Sequence, residues 1–367
     1  MSYETIPKDL KVLIIHNDVS GSTSESELDV LDQVRVVESS LKELGIEYKI
    51  IALKNLHQLG RALSAHLDYN VVFNIYENDC DKMDTDYFDV SLPVGTEVFG
   101  MGCTGFPTSK LMTVTNKVDT RRVLESNKIP IARGFEVGLL DDRAAFLRGM
   151  ERTFGAEPAV PFIVKPSCAD ASEGIVWDKS VFNPPHAATF DAVWARVEEV
   201  RRTMEMSVLI EELVGAGELN VSVLCDPEPR IVAVAEIDFT TLNPGLPPIV
   251  DYDGKWFPES PMYQSERRLP ANITEEARVE VEKICLDSFK AVGGRDFGRV
   301  DLRFTYDEKT GKTRFWVLEV NPNPCLSDDA GFPVALEYAG IPFSYFVKVC
   351  VMNAYQRHLG YISEDKK

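Results

Sequence analysis

No run of eighteen apolar residues occurs in this sequence of 367 residues, so it offers no helix fit to span a bilayer. It has no GxGxxG after its first strand pattern and no GxxxxGK followed by Ser or Thr. Those absences exclude the glycine-built phosphate cradles of nicotinamide dehydrogenases and P-loop enzymes. The seven cysteines are scattered, without a CxxC pair or zinc spacing. They read as reduced, mostly buried thiols of a cytoplasmic protein. Residues 1–10 carry acids and a proline where a secretory leader would be basic and then apolar. Positive charge is short as well: 39 Lys and Arg stand against 58 Asp and Glu, a formal charge of −19. Nucleic acid and anionic membrane both select clustered cations, so neither is an expected partner. An anionic substrate stays open if a few cations are focused in a cleft.

The length suits two or three domains, each with its own core. Residues 11–16 read as a short buried strand. Leu28, Leu31, Val34, Val37, Leu41 and Leu44 then recur at three- and four-residue steps, a helix stripe, with Gly45 where a C′ glycine belongs. Strands over 48–53 and 70–76 flank a helix over 56–66. This β-α-β-α-β order predicts an α/β fold with a parallel sheet and helices on both faces. A Ser-rich loop, residues 19–25, follows the first strand, where open sheets bind ligands. For any single serine, a solvent loop is the better reading. Further on, the pattern predicts a helix over 113–127, strands over 161–166 and 175–177, and a helix over 190–205. Strands over 207–214, 218–224 and 230–239 precede a non-periodic insert over 243–270. Helices over 273–291 (with Thr274 as N-cap), 332–339 and 343–358 complete the chain.

Two strand-like runs near the end carry the chemistry. Val, Leu and Phe alternate with Arg299, Asp301 and Arg303 in the first, and the second ends in Leu318-Glu319-Val320-Asn321. The polar, glycine-bearing stretch 307–312 between them predicts a hairpin. Alternation sets Arg299, Asp301 and Arg303 on one face, and Glu319 and Asn321 opposite Leu318 and Val320. If the polar faces coincide, two carboxylates and an amide oxygen converge beside Arg299. Magnesium takes a few such hard ligands and completes its octahedron with phosphate and water. A solvated hairpin face is the plain alternative. Pro322 and Pro324 end the strand just past these residues. Lys165 closes a strand, and the small, polar segment 167–174 after it, with Ser172 and Gly174, reads as a phosphate lid or as an exposed turn.

In order and spacing these pieces resemble the ATP-grasp ligases, and within them the D-alanine–D-alanine ligase-like group, over residues 11–358. The resemblance implies a pre-ATP-grasp domain (1–112), a small central lobe (113–212) and a large C-terminal lobe (213–362). It implies an ATP-dependent carboxylate–amine ligase that forms an acyl phosphate and releases ADP and phosphate. Lys117 and Lys165 would hold the ATP phosphates, Glu211 and Leu213 would meet the adenine through backbone groups, and Glu218 would bind the ribose. Lys255 would come down on the reaction centre from a covering loop, and Arg299 would stabilise the oxyanion. Ser172, in the phosphate loop, joins Arg299 and Lys255 in the catalytic set. Asp301, Glu319 and Asn321 would bind Mg2+, with Mn2+ as a substitute. The implied partners are a small-molecule carboxylate and amine, and the resemblance allows a homodimer through the N-terminal lobe.

The sequence departs from that pattern in two places. No Gly-Gly turn follows the first strand, and Glu25, Asp29 and Asp32 compete as the acid for a substrate amine. After the metal residues the chain runs Cys325-Leu326-Ser327-Asp328-Asp329, where two aspartates would repel an acceptor carboxylate. That puts D-alanyl-D-alanine itself in question: the ligase proper and a relative joining other amino acids or a secondary-metabolite acid stand level, with an ATP-grasp enzyme of a different acceptor, such as a thiol or bicarbonate, and a nucleotide-binding regulatory protein as the alternatives. Cys325 lacks a histidine to activate it and is not expected to be a nucleophile.

Overall fold

The computed structural model describes residues 5–23, 25–76, 88–156, 159–169, 172–183, 187–257, 259–263 and 266–364. The first sheet is built from β1 (Lys11–Asn17), β2 (Glu47–Leu53), β3 (Val71–Asn74) and β4 (Gly102–Cys103). Its order is β2-β1-β3-β4 and all pairs are parallel. Alternation along β1 sends Leu13 and Ile15 to one face and Val12 and Ile14 to the other. The first face packs on α2 (Leu56–Ser64) and α3 (Phe88–Val98). The second packs on α1 (Glu25–Glu43) and on the last helix of the chain, whose Phe346, Val347 and Val351 are fully buried there. The N-terminal sheet thus borrows part of its core from the far end of the sequence.

That contact is close. A Cβ on Gly102 would stand 1.8 Å from the carbonyl oxygen of Ala354. Both groups are backbone, so neither has a side chain to swing aside. Gly102→Ala is expected to cost about 3 kcal/mol and to lower the melting midpoint by roughly 5–10 °C. Calorimetry checks this, and an unchanged midpoint would mean the helix is free to shift.

Where one helix is predicted over 113–127, two form: α4 (Thr108–Thr115) and α5 (Lys117–Ser126). Asn116 leaves helical geometry between them, and its Oδ1 accepts from the amides of Val118 (2.8 Å) and Asp119 (3.2 Å). The cap fixes Lys117 at the start of α5. The second sheet is antiparallel, in the order β5-β8-β6-β7. It comprises β5 (Gly134–Val137), β6 (Phe162–Pro166), β7 (Val181–Phe182) and β8 (Val208–Glu212), packed on α6 (Arg143–Phe154) and α8 (Ala187–Met204). The strand expected over 175–177 does not form. The Val176 amide donates to Ser180 Oγ at 3.1 Å, and this closes the short helix α7 (Trp177–Ser180) instead.

The third sheet, β11-β10-β9-β12-β13, is antiparallel throughout. Its strands are β9 (Gly217–Cys225), β10 (Pro229–Asp238), β11 (Glu266–Arg268), β12 (Phe297–Asp307) and β13 (Lys312–Asn321). One face buries Val221, Val223, Val300, Leu302 and Val317 against α10 (Glu275–Ala291), capped by Thr274. The insert read as non-periodic contains α9 (Tyr252–Trp256) as well as β11. Helices α11 (Gly331–Tyr338) and α12 (Phe343–Glu364) return the chain to the first sheet. Among the described residues no single helix is long and apolar enough to cross a membrane.

Candidate active site

The face of the third sheet turned away from α10 gathers the polar residues. Register places Arg299 opposite Asn321, Asp301 opposite Glu319, Asn220 opposite Asp301, and Glu218 opposite Arg303. Directly opposed residues share a face, so the two polar faces of the hairpin coincide. The means differs from simple alternation. The ladder pairs Asp301 with Glu319 but Leu302 with Val317, leaving Leu318 as the extra residue of a bulge. Before it Phe315 and Val317 face the core, and after it Val320 does. Leu318 is therefore not a partner of Val320 on the core face. Without the bulge the phase of Phe315 and Val317 would carry Glu319 into the core.

Arg299 grips Asp301 side-on, Nε to Oδ1 at 2.7 Å and Nη2 to Oδ2 at 2.8 Å. Asn220 adds a third bond to Oδ1 at 2.9 Å. Burial would lower the pKa of Arg299, but Asp301, Glu319 and Glu218 reverse this and hold it above its ordinary value. Burial would likewise raise Glu319. The fields of Lys117, Lys255, Lys165 and Arg299 outweigh it, and Glu319 stays ionised below the usual carboxylate range. Lys117 Nζ is 3.7 Å from Glu319 Oε2 and also donates to the Ala169 carbonyl, tying the head of α5 to β13. Lys255 sits on α9, exposed along its side chain, with its ammonium in the field of Glu319, Arg299, Asp301 and Glu218. Glu218 is raised by burial, against the opposing charge of Arg303.

Lys165 lies at the end of β6 and pairs with Glu211 of β8, which also accepts from Arg121. Glu211 is 3% exposed. Burial favours its neutral form, but Lys165 and Arg121 overcome that and depress its pKa. Of the backbone groups expected to meet a base at Glu211 and Leu213, several are already engaged. β8 is paired on both sides at Glu211, and the Leu213 amide already donates to the Pro161 carbonyl at 2.8 Å. The Glu211 carboxylate is itself taken by Lys165 and Arg121, which leaves the Leu213 carbonyl as the group for a base. Ser172, at φ +62°, donates its hydroxyl to the Val250 carbonyl at 2.8 Å, so it ties the segment before α7 to the insert. Asp170 and Ala171 of that loop lie outside the described residues.

Several residues of the site escaped sequence reasoning. Arg121 is one, and Asn220 another, two positions along β9 from Glu218. Arg303 was placed on the right face without a role. It is 3% exposed and donates to the carbonyls of Val214 (3.2 Å), Gly215 (3.0 Å) and Pro248 (2.5 Å), with Glu218 at 3.5 Å and the Phe239 ring beside it. Of the acids competing for a substrate amine, Asp29 is spoken for. It accepts from Ser327 Oγ (2.7 Å), Cys325 Sγ (3.0 Å) and Gln33 Nε2 (3.3 Å), so it pins the loop after β13 to α1. Asp32 pairs with Arg35 at 3.1 Å. The Glu25 side chain lies outside the described residues. The Cys325 thiol is pushed up to about 12 by burial, which suits an unreactive sulfur.

Among the described residues no cluster of three His, Cys, Asp or Glu stands ready as an all-protein metal cage. Asp301, Glu319 and Asn321 form a sparser set, two carboxylates and an amide on adjoining strands. That set fits magnesium, which binds through one or two carboxylates plus substrate phosphates and water.

A family described as the D-ala D-ala ligase C-terminus matches residues 141–352. The D-alanine--D-alanine ligase of Desulforudis audaxviator is 27% identical over 263 residues, covering 71% of this chain and 75% of the relative. D-alanine--D-alanine ligase B of Chromobacterium violaceum is 26% identical over 330 residues, 89% of this chain and 92% of the relative. A crystal structure of the D-alanine--D-alanine ligase from Bacillus anthracis superposes with a TM-score of 0.71 at 17% identity, covering 96% of this chain and 99% of that one. The same enzyme complexed with ATP gives a TM-score of 0.67 at 15% identity.

Proposed function

The chain belongs to the D-alanine–D-alanine ligase family and is an ATP-dependent carboxylate–amine ligase, and on that premise we propose how its own residues divide the work. The observation that carries the proposal is the pairing of Asp301 with Glu319 across the hairpin, with Arg299 on one and Lys117 on the other. Phosphoryl transfer asks little covalent chemistry of a protein; positioning and charge neutralisation do the work. Asp301, Glu319 and Asn321 would hold Mg2+, which when bound neutralises charge on the phosphates. Lys117 and Lys165 draw the phosphates toward the small lobe, and Glu218 is placed for the ribose hydroxyls. A substrate carboxylate oxygen attacks the γ-phosphorus as the bond to the bridging oxygen breaks, giving an acyl phosphate and ADP. The amine then attacks the acyl carbon and gives up a proton, Arg299 faces the oxyanion that develops, and collapse of that oxyanion expels phosphate and leaves the amide. Lys255 on α9, in the field of Glu319 and Asp301, is suited to cover the centre, where excluding water protects the acyl phosphate. The cytoplasm is the compartment we assign, and free thiols together with a need for ATP support it.

The test is phosphate release from ATP and Mg2+ with D- and L-amino acids, singly and in pairs, with products weighed by mass spectrometry. Release should require an amine, stop with EDTA and return with Mg2+. Tight ATP binding without turnover on any pair would defeat the ligase reading.

A further inference from the structure

Arg303 takes no part in the chemistry proposed above, yet at 3% exposure it is the most deeply buried cation among the described residues. It stands on β12 directly opposite Glu218 of β9, on the face that carries Arg299 and Asp301. Its guanidinium reaches the turn between β8 and β9. Nε donates to the Val214 carbonyl at 3.2 Å and Nη2 to the Gly215 carbonyl at 3.0 Å. Those two carbonyls directly follow that of Leu213, the group left for a base. Nη1 donates to the Pro248 carbonyl of the insert at 2.5 Å and lies 3.5 Å from Glu218 Oε2. The Phe239 ring covers the guanidinium, 5.3 Å from centroid to Cζ.

The turn does not need a charge to brace it. The Ala216 amide already donates to the Phe304 carbonyl at 2.9 Å. Gly215 lies so close to the same strand that a Cβ on it would stand 2.8 Å from that oxygen. Burying a cation forfeits its hydration, and a well-packed apolar side chain of similar volume often serves stability as well. What an apolar side chain lacks is a charge to set against a carboxylate. Among the charges around Glu218, that of Arg303 is the strongest favouring the ionised form. An ionised carboxylate accepts at both oxygens, which is what a pair of ribose hydroxyls requires.

We infer that Arg303 is a positioning residue for the nucleotide: it fixes the Glu218 carboxylate against the turn after Leu213, and so sets the preference for a ribose over a sugar without hydroxyls. The inference rests on the ribose role proposed above for Glu218. One guanidinium then holds the base-binding turn, the ribose acid and the start of the covering insert in a single frame.

The test measures, by calorimetry, binding of ATP and of its 2′,3′-dideoxy analogue, each with Mg2+. It uses the full chain and its Arg303→Met, Arg303→Lys and Glu218→Gln variants. The unsubstituted protein should hold ATP at least about tenfold more tightly than the analogue, the scale of hydrogen bonds to a charged group. Arg303→Met should weaken ATP about tenfold and the analogue little, so that the preference collapses as it does in Glu218→Gln. Arg303→Lys keeps the charge without the fork and should retain only part of the preference. An Arg303→Met protein that loses both nucleotides equally, with its preference intact, would make Arg303 a brace and overturn the inference. Should Arg303→Met fail to fold, Arg303→Lys decides: a preference as large as that of the unsubstituted protein overturns the inference too. An unsubstituted protein that does not discriminate refutes the ribose role of Glu218 and this inference with it, and leaves the ligase reading standing. No binding of ATP by the unsubstituted protein would defeat the ligase reading itself.

Discussion

Arg299→Ala is expected to lower turnover about 10²–10³-fold at saturating substrates, the usual loss for one oxyanion donor. Arg299 is the one cation bonded directly to Asp301 among the described residues, at 2.7 Å and 2.8 Å. Its removal leaves Asp301 bonded to Asn220 and freer to meet a cation. Nucleotide affinity in the presence of Mg2+ should therefore change little while the chemical step slows. Titration of ATP binding alongside kcat separates the two effects. Arg299→Lys keeps the charge but loses the fork, so it should fall between. Unchanged turnover in Arg299→Ala would remove this residue from the mechanism.

Glu211→Ala is expected to be the most destabilising single change in the small lobe, by about 3–5 kcal/mol. The Lys165 and Arg121 side chains are only 8% and 12% exposed, and both point at Glu211. Truncation leaves the Lys165 ammonium without its ion partner and Arg121 with the Ala132 carbonyl at 2.8 Å. Denaturant unfolding with an unchanged m-value would read the loss. The pH dependence gives a second check. The pKa of Glu211 is depressed in the folded protein, so its contribution is fully present above the ordinary carboxylate range. It is lost as pH falls through the depressed value. Glu211→Gln should flatten that acid limb. An acid limb as steep as that of the unsubstituted protein would show that other carboxylates govern it.

The hairpin was legible because a period-two pattern on both arms and a glycine-bearing turn between them leave few other structures. The bulge at Leu318 was not, since an extra apolar residue in an apolar strand leaves no mark in composition. Asn116 likewise gave no warning of a break, because asparagine is tolerated inside helices as well as before them. Arg303 lay on the predicted face, but its carbonyl partners are 55 to 89 residues away in sequence. Sequence pattern locates residues along one element, whereas these roles depend on elements meeting.

The contact between Gly102 and Ala354 has a consequence for biosynthesis. The face of β1 bearing Val12 and Ile14 is sealed in part by Phe346, Val347 and Val351. On a ribosome, those residues emerge long after β1, by on the order of tens of seconds at ordinary elongation rates. Through that interval an apolar wall of the first sheet stays without its closing helix. The nascent chain is therefore most in need of a chaperone before residues 343–364 appear, and a sheet made early is sealed late.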